Sequence, residues 1–186
     1  GGNDVITGGA LGETIYGGAG ADIISTGGGN DTVYGDDGDD VIYAESDDDT
    51  LRGGAGHDTL YGGLGDDTYL LDLNSGADDV YNYEPGSDTD VLGYQDIERD
   101  YLWFEQVGND LKISVIGTNV VTTIKDWYGS PSQGGNYKID FIIAGQTYSK
   151  QVSAEALATL MAQYASVKPT TEAAFDSLHQ NLALEN

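Results

Sequence analysis

Residues 17–25 read GGAGADIIS. Gly17, Gly18 and Gly20 crowd around Asp22, and the apolar pair Ile23–Ile24 follows. Ordering a glycine costs more backbone entropy than ordering any other residue, so this density of glycine needs a structural purpose. The phrase recurs as GGAGHDTLY (53–61) and GGLGDDTYL (62–70). Looser copies are GGALGETIY (8–16), TGGGNDTVY (26–34), GDDGDDVIY (35–43) and AESDDDTLR (44–52), and GGNDVIT (1–7) is a cut copy. A period of nine runs from residue 1 to residue 70. A sustained short period marks a repeat architecture.

Two columns of the repeat carry its chemistry. The sixth position holds Asp4, Glu13, Asp22, Asp31, Asp40, Asp49, Asp58 and Asp67. The eighth holds Ile6, Ile15, Ile24, Val33, Ile42, Leu51, Leu60 and Tyr69. An apolar residue between two others, after a glycine turn, reads as a very short strand with one face inward. Such a strand cannot bury its face alone, but stacked repeats can. Two repeats make one coil of turn, strand, turn, strand. Alternate repeats then stack as two parallel sheets, about 4.8 Å per coil. This stacking sets Asp22, Asp40 and Asp58 along one edge and Asp31, Asp49 and Asp67 along the other. Carboxylates so placed repel one another. A calcium ion between successive turns reverses the sign, because it takes six to eight oxygens from carboxylates and carbonyls. Glycines such as Gly18, Gly20, Gly54, Gly56, Gly63 and Gly65 allow φ > 0 and let carbonyls approach the ion.

These residues fit the nonapeptide G-G-x-G-x-D-x-U-x, and the chain resembles the RTX (repeats-in-toxin) family. The resemblance implies a calcium-loaded parallel β-roll over 1–73, in a mainly β protein. Some copies depart from the pattern: Leu11 and Glu13 replace a glycine and the aspartate. Ala44, Glu45, Ser46 and Asp47 stand where glycines belong, which implies strain or a widened turn there. SGADDVYNYEPGSDTDVLGY (75–94) looks like irregular closing turns, assigned to 74–94, with Asp79 and Asp90 as further ligands. DYLWFEQVGNDLKISVIGT (100–118), TIKDWYG (123–129) and LMAQY (160–164) are similar to the C-terminal ends of adenylate cyclase toxin-haemolysins and like toxins. There the region caps the last coil beside an uncleaved signal for a type I exporter.

The residues after the repeats also speak for themselves. LWFEQ, DLKISVI, NVVTTIKD and KIDFIIA read as strands, and GND (108–110) as a tight turn. A β-rich cap over 95–150 is expected, with Trp103, Phe104 and Trp127 packed in its core over the open end of the roll. A ligand groove at these aromatics is the minor alternative. Over 151–186, Ser153 can cap a helix whose apolar face holds Leu157, Leu160, Met161 and Tyr164. That amphipathic tail reads either as the export signal or as a docking helix.

Composition narrows the functions. Residues 1–92 hold 21 acids against the single base Arg52, a charge of −20, whereas 93–186 hold 11 acids against six bases. Such a polyanion repels nucleic acid and collects cations. Cysteine is absent, so thiolate sites and disulfides are excluded. No apolar run reaches the roughly 20 residues that span a bilayer, and the N-terminus lacks the features of a signal peptide. The chain, which begins inside a repeat, reads as a C-terminal piece of a secreted, extracellular protein. Neither HExxH nor GxSxG occurs, and no enzymatic activity is expected of it. The leading expectation is a module that folds on calcium and supports type I secretion of a toxin or adhesin. The alternative is a module that binds a host cell surface, a glycan or a receptor.

Overall fold

The computed structural model of the chain describes residues 1–82, 88–97, 101–128, 139 and 141–144, the last four by their backbone. The nine-residue period becomes a two-sheet parallel β-roll. One sheet stacks β1 (Val5–Thr7), β3 (Ile23–Ser25), β5 (Val41–Ser46), β7 (Thr59–Leu64) and β9 (Ala77–Tyr81). The other stacks β2 (Thr14–Ala19), β4 (Thr32–Asp37), β6 (Thr50–Ala55), β8 (Thr68–Leu71) and β10 (Val91–Tyr94). All these pairs are parallel and in register, so Ile24 lies opposite Ile42, Ile42 opposite Leu60, and Leu60 opposite Val80. On the facing sheet, Val33, Leu51, Tyr69 and Leu92 align in the same way.

Side chains alternate between the faces of a strand, so every eighth-position residue points between the sheets. From Ile24 to Leu92 these residues are fully buried, while Ile6 and Ile15 in the first coil are only partly covered. Burying one such side chain is worth about 1.5–3 kcal/mol, and each coil contributes two. The ninth-position residues face outward, where Tyr43, Tyr61 and Tyr81 stack with ring centroids 4.7 Å apart. Tyr16 and Tyr34 stack at 4.9 Å on the other sheet.

Four more strands prolong both sheets rather than forming a sheet of their own. They are β11 (Leu102–Val107), β12 (Asp110–Val115), β13 (Val121–Ile124) and β14 (Phe141–Ala144). Strand β13 joins β9 in parallel and sets Ile124 opposite Val80. Strands β12 and β11 follow antiparallel, linked through Gly108 at φ +65°. Strand β14 pairs in parallel with β10. Trp103, Phe104 and Trp127 are all buried; Phe104 and Trp127 join the core that continues from the roll, and Trp103 lies outside that cluster. No α-helix occurs among the described residues. The helix expected over 151–186 lies outside them.

Turns 44–49, where glycines are missing, keep their width. Glu45 pairs with Gly63 in register, and Ser46 bridges to Gly28. The deviation is absorbed as backbone strain: Glu45 and Asp47 both take φ +75°, as does Asp36 in the preceding turn. Asp47 Oδ2 accepts the Gly29 N–H at 2.9 Å, and the Ser46 hydroxyl donates to the Gly27 carbonyl at 3.2 Å. These bonds to the coil before hold the turn in its shape.

Candidate metal centre

The turns stack into two ladders of carboxylates. On the first edge the backbone N–H of each rung donates to Oδ1 of the next. The distances are 2.7 Å for Asp4 to Asp22, 2.7 Å for Asp22 to Asp40, 2.9 Å for Asp40 to Asp58 and 3.1 Å for Asp58 to Asp78. On the second edge Glu13, Asp31, Asp49, Asp67 and Asp90 are joined in the same sense, at 2.7, 2.7, 3.0 and 2.9 Å. From Asp22 and Asp31 onward each aspartate rung is at most 2% exposed. One oxygen of every carboxylate from Asp22 and Asp31 onward is thus consumed by the ladder itself.

The other oxygen is the unusual one. Oδ2 of Asp22, Asp31, Asp40, Asp49, Asp58 and Asp78 is buried without a hydrogen-bond partner. A buried polar atom left unpaired costs on the order of 1–3 kcal/mol, more when charged. Six in one small roll call for a cation. Burial also pushes the carboxyls of Asp40, Asp49, Asp58, Asp67 and Asp78 upward, helped by neighbouring rungs and opposed by the backbone N–H each accepts. Asp58 rises to about 6, Asp49 to about 7, and Asp67 and Asp78 to about 8. Protonation and cation binding are the two ways to relieve the same stress.

The surroundings fit a hard cation. A Cβ on Gly35 would lie 2.3 Å from Asp40 Oδ2 and 2.5 Å from the carbonyl of Gly53 in the next coil. On Gly17 it would meet Asp22 Oδ2 at 2.6 Å and the Gly35 carbonyl at 2.7 Å. A bare Cα therefore lets a carboxylate oxygen and a carbonyl of adjacent coils come together, the mixed oxygen set that calcium takes. Gly18, Gly20, Gly54, Gly56, Gly63 and Gly65 all have φ between +100° and +150°. Gly56 shows why: at φ +150° a Cβ would stand 2.1 Å from the Gly38 carbonyl of the coil before. Among the described residues no three Asp, Glu, His or Cys side chains converge on one point. Each turn supplies one ladder carboxylate, so backbone carbonyls must complete any ion's shell.

The expected ligands are not equally placed. Asp4 is half exposed, and Glu13 turns its Oε2 back to the Gly9 N–H at 3.2 Å. The closing turn needs a correction: the ladder passes through Asp78 and not Asp79. Asp79 pairs in register with Thr59, one residue past the rung, and its Oδ2 lies 4.0 Å from His57 Nε2. The signal was present in the sequence, since Asp78 stands two residues before apolar Val80, as Asp58 does before Leu60. Asp90, two before Leu92, stands on the second ladder, where its Oδ1 accepts the Asp67 N–H. Sequence reasoning also missed Asn82, a buried amide that donates to Asp90 Oδ2 at 2.7 Å.

Parallel coils, paired carboxylate ladders and glycine-backed turns define a calcium-binding β-roll. The family model for the RTX calcium-binding nonapeptide repeat matches residues 1–10, 8–42 and 34–69. The match confines itself to the repeat block, and the RTX nonapeptides it describes bind calcium ions. Two solved structures are similar over part of the chain. One is the extracellular lipase LipA from Serratia marcescens, 18% identical with a TM-score of 0.29, over 66% of this chain and 36% of that one. The other is the AlgE6R3 subunit of the Azotobacter vinelandii mannuronan C5-epimerase, 21% identical with a TM-score of 0.25, over 78% of this chain and 94% of that one. The chain thus spans little more than a third of the lipase.

Proposed function

We propose that this RTX block is a calcium-triggered folding module of a larger secreted protein, and that its C-terminal segment, 151–186, serves a type I exporter. The observation that carries the calcium trigger is the set of six buried carboxylate oxygens with no partner. In calcium-poor cytosol such sites stay empty, and a charge of −20 over residues 1–92 keeps the chain open. Extracellular modules of this kind bind at about 10⁻⁴ to 10⁻³ M. Filling the ladders there turns binding free energy into folding free energy. Export then takes place on an unfolded chain, and folding follows outside.

Far-UV circular dichroism with chelator and with ~5 mM calcium tests the trigger; matching spectra would remove it. Magnesium should substitute poorly, because it demands a smaller octahedral shell. Export of a reporter fused to 1–186, compared with the same fusion lacking 151–186, tests the tail. Undiminished export of the shorter fusion would assign that segment another role. A surface-binding reading has less support, since Trp103, Phe104 and Trp127 are buried and offer no aromatic face to a glycan or receptor.

A further inference from the structure

At Asp90 the second edge differs from the rungs at Asp31 and Asp49, whose Oδ2 has no hydrogen-bond partner. Asp90 Oδ1 accepts the Asp67 N–H at 2.9 Å, as every rung does. Its Oδ2, however, accepts the Asn82 carboxamide at 2.7 Å. Asn82 Oδ1 in turn accepts the hydroxyl of Tyr69 at 2.7 Å, and the Tyr69 oxygen accepts the Gly62 N–H at 3.1 Å. All three side chains are buried, at 0 to 3% exposed. An ionised carboxylate only accepts, so the amide face turned to Asp90 must be the NH₂. The hydroxyl then satisfies the remaining amide oxygen. Tyr69 stands in the core column between Leu51 and Leu92, where an aliphatic side chain would have filled the space. It replaces that filling with a hydroxyl reaching the rung.

We propose that Tyr69, Asn82 and Asp90 form a metal-free rung of the second ladder. The Asn82 carboxamide occupies, at this rung, the position toward Asp90 Oδ2 that a cation takes at Asp31 and Asp49. The identity of residue 82 therefore sets how many ions this edge holds. The amide also spares this coil from depending on calcium for the Asp90 carboxylate. The inference rests on the calcium reading above and refines it for one rung.

The test is the number of calcium ions bound per full-length chain at saturation, measured by equilibrium dialysis with metal analysis. Wild type, Asn82→Ala, Asn82→Asp, Asp90→Asn and Asp49→Asn are compared. The metal-free rung requires that Asp90→Asn keep the wild-type count and that Asn82→Ala bind no fewer ions than wild type, with the calcium midpoint of folding shifted upward in Asp90→Asn. Asn82→Asp, which sets a second carboxylate against Asp90, should bind one more ion. Asp49→Asn, an inner rung, should bind fewer. Loss of an ion in Asn82→Ala or Asp90→Asn would overturn the proposal, because the amide oxygen and Asp90 would then be ligands. So would an unchanged count in a folded Asn82→Asp. Should Asn82→Asp fail to fold, the alanine and Asp90 variants decide. A wild type that binds no calcium would sink the module's function itself, an outcome separate from either of these.

Discussion

Exchanging Asp78 or Asp79 for alanine tests the register of the closing turn, because the two neighbours differ in everything but their chemistry. Asp78 is buried; its Oδ1 accepts the Asp58 N–H at 3.1 Å, and its Oδ2 has no partner. Asp78→Ala removes a hydrogen bond to a charged acceptor, worth about 1.5–3 kcal/mol, and leaves the Asp58 N–H buried and unpaired. It also takes one carboxylate from the end of the first ladder. Asp79→Ala removes a partly exposed contact to His57 at 4.0 Å, and such surface pairs are worth about 0–1 kcal/mol. The difference of roughly 2 kcal/mol corresponds to about a 30-fold change in an equilibrium constant. The calcium midpoint of folding, followed by far-UV circular dichroism at fixed ionic strength, should rise strongly for Asp78→Ala and hardly for Asp79→Ala. Equal shifts, or a larger one for Asp79→Ala, would refute the register and with it the ladder as the calcium site.

Acidification of the chelated chain should restore β-structure. The folded-state values of Asp49, Asp58, Asp67 and Asp78 are raised to about 7, 6, 8 and 8, above the ordinary 3.8. Between about pH 4 and 8 the folded chain therefore holds more protons than the unfolded one, and its stability falls as pH rises through that window. The calcium-loaded chain should weaken on acidification, because its ligands must be ionised; circular dichroism against pH, with and without chelator, separates the two. Gly56→Ala should prevent cooperative folding because its Cβ meets a carbonyl, whereas Gly108→Ala, at φ +65° in open space, should cost about 1 kcal/mol; thermal melts in calcium decide. Asp36→Gly, at φ +75°, should stabilise the loaded roll by up to about 1 kcal/mol, and a lowered melting temperature would assign Asp36 a positive role. A chain ended after Tyr94 loses β13 from β9 and β14 from β10 and should stay unstructured at calcium levels that fold the whole chain.

The repeat made most of the roll readable. A fixed period fixes the register, and one apolar column with one acidic column fixes which side faces inward and which edge carries charge. Readability failed where the period failed. Asp58 and Asp78 are 20 residues apart and Asp67 and Asp90 are 23 apart, against 18 elsewhere. Counting forward therefore loses the rung, and only the spacing to Val80 recovers Asp78. The Tyr69–Asn82–Asp90 chain was illegible for another reason. A tyrosine in an apolar column and an asparagine in a closing turn carry no pattern until folding brings them together across 8 and 13 residues. The cap strands were visible as alternating segments, but their continuation of both sheets depends on long-range pairing that no local pattern encodes.

The outward tyrosines turn the roll into its own optical gauge. The rings of Tyr43, Tyr61 and Tyr81 come from three different coils and lie within 12° to 18° of parallel. Phenol chromophores held this close couple electronically, and they do so only while all three coils stand in register. A slip of one residue would send the rings to the opposite face of the sheet. Near-ultraviolet ellipticity that vanishes in Tyr61→Phe would thus report alignment between coils, while far-ultraviolet ellipticity reports only that strands exist. The lag between the two signals during calcium addition would time the passage from paired strands to a registered stack.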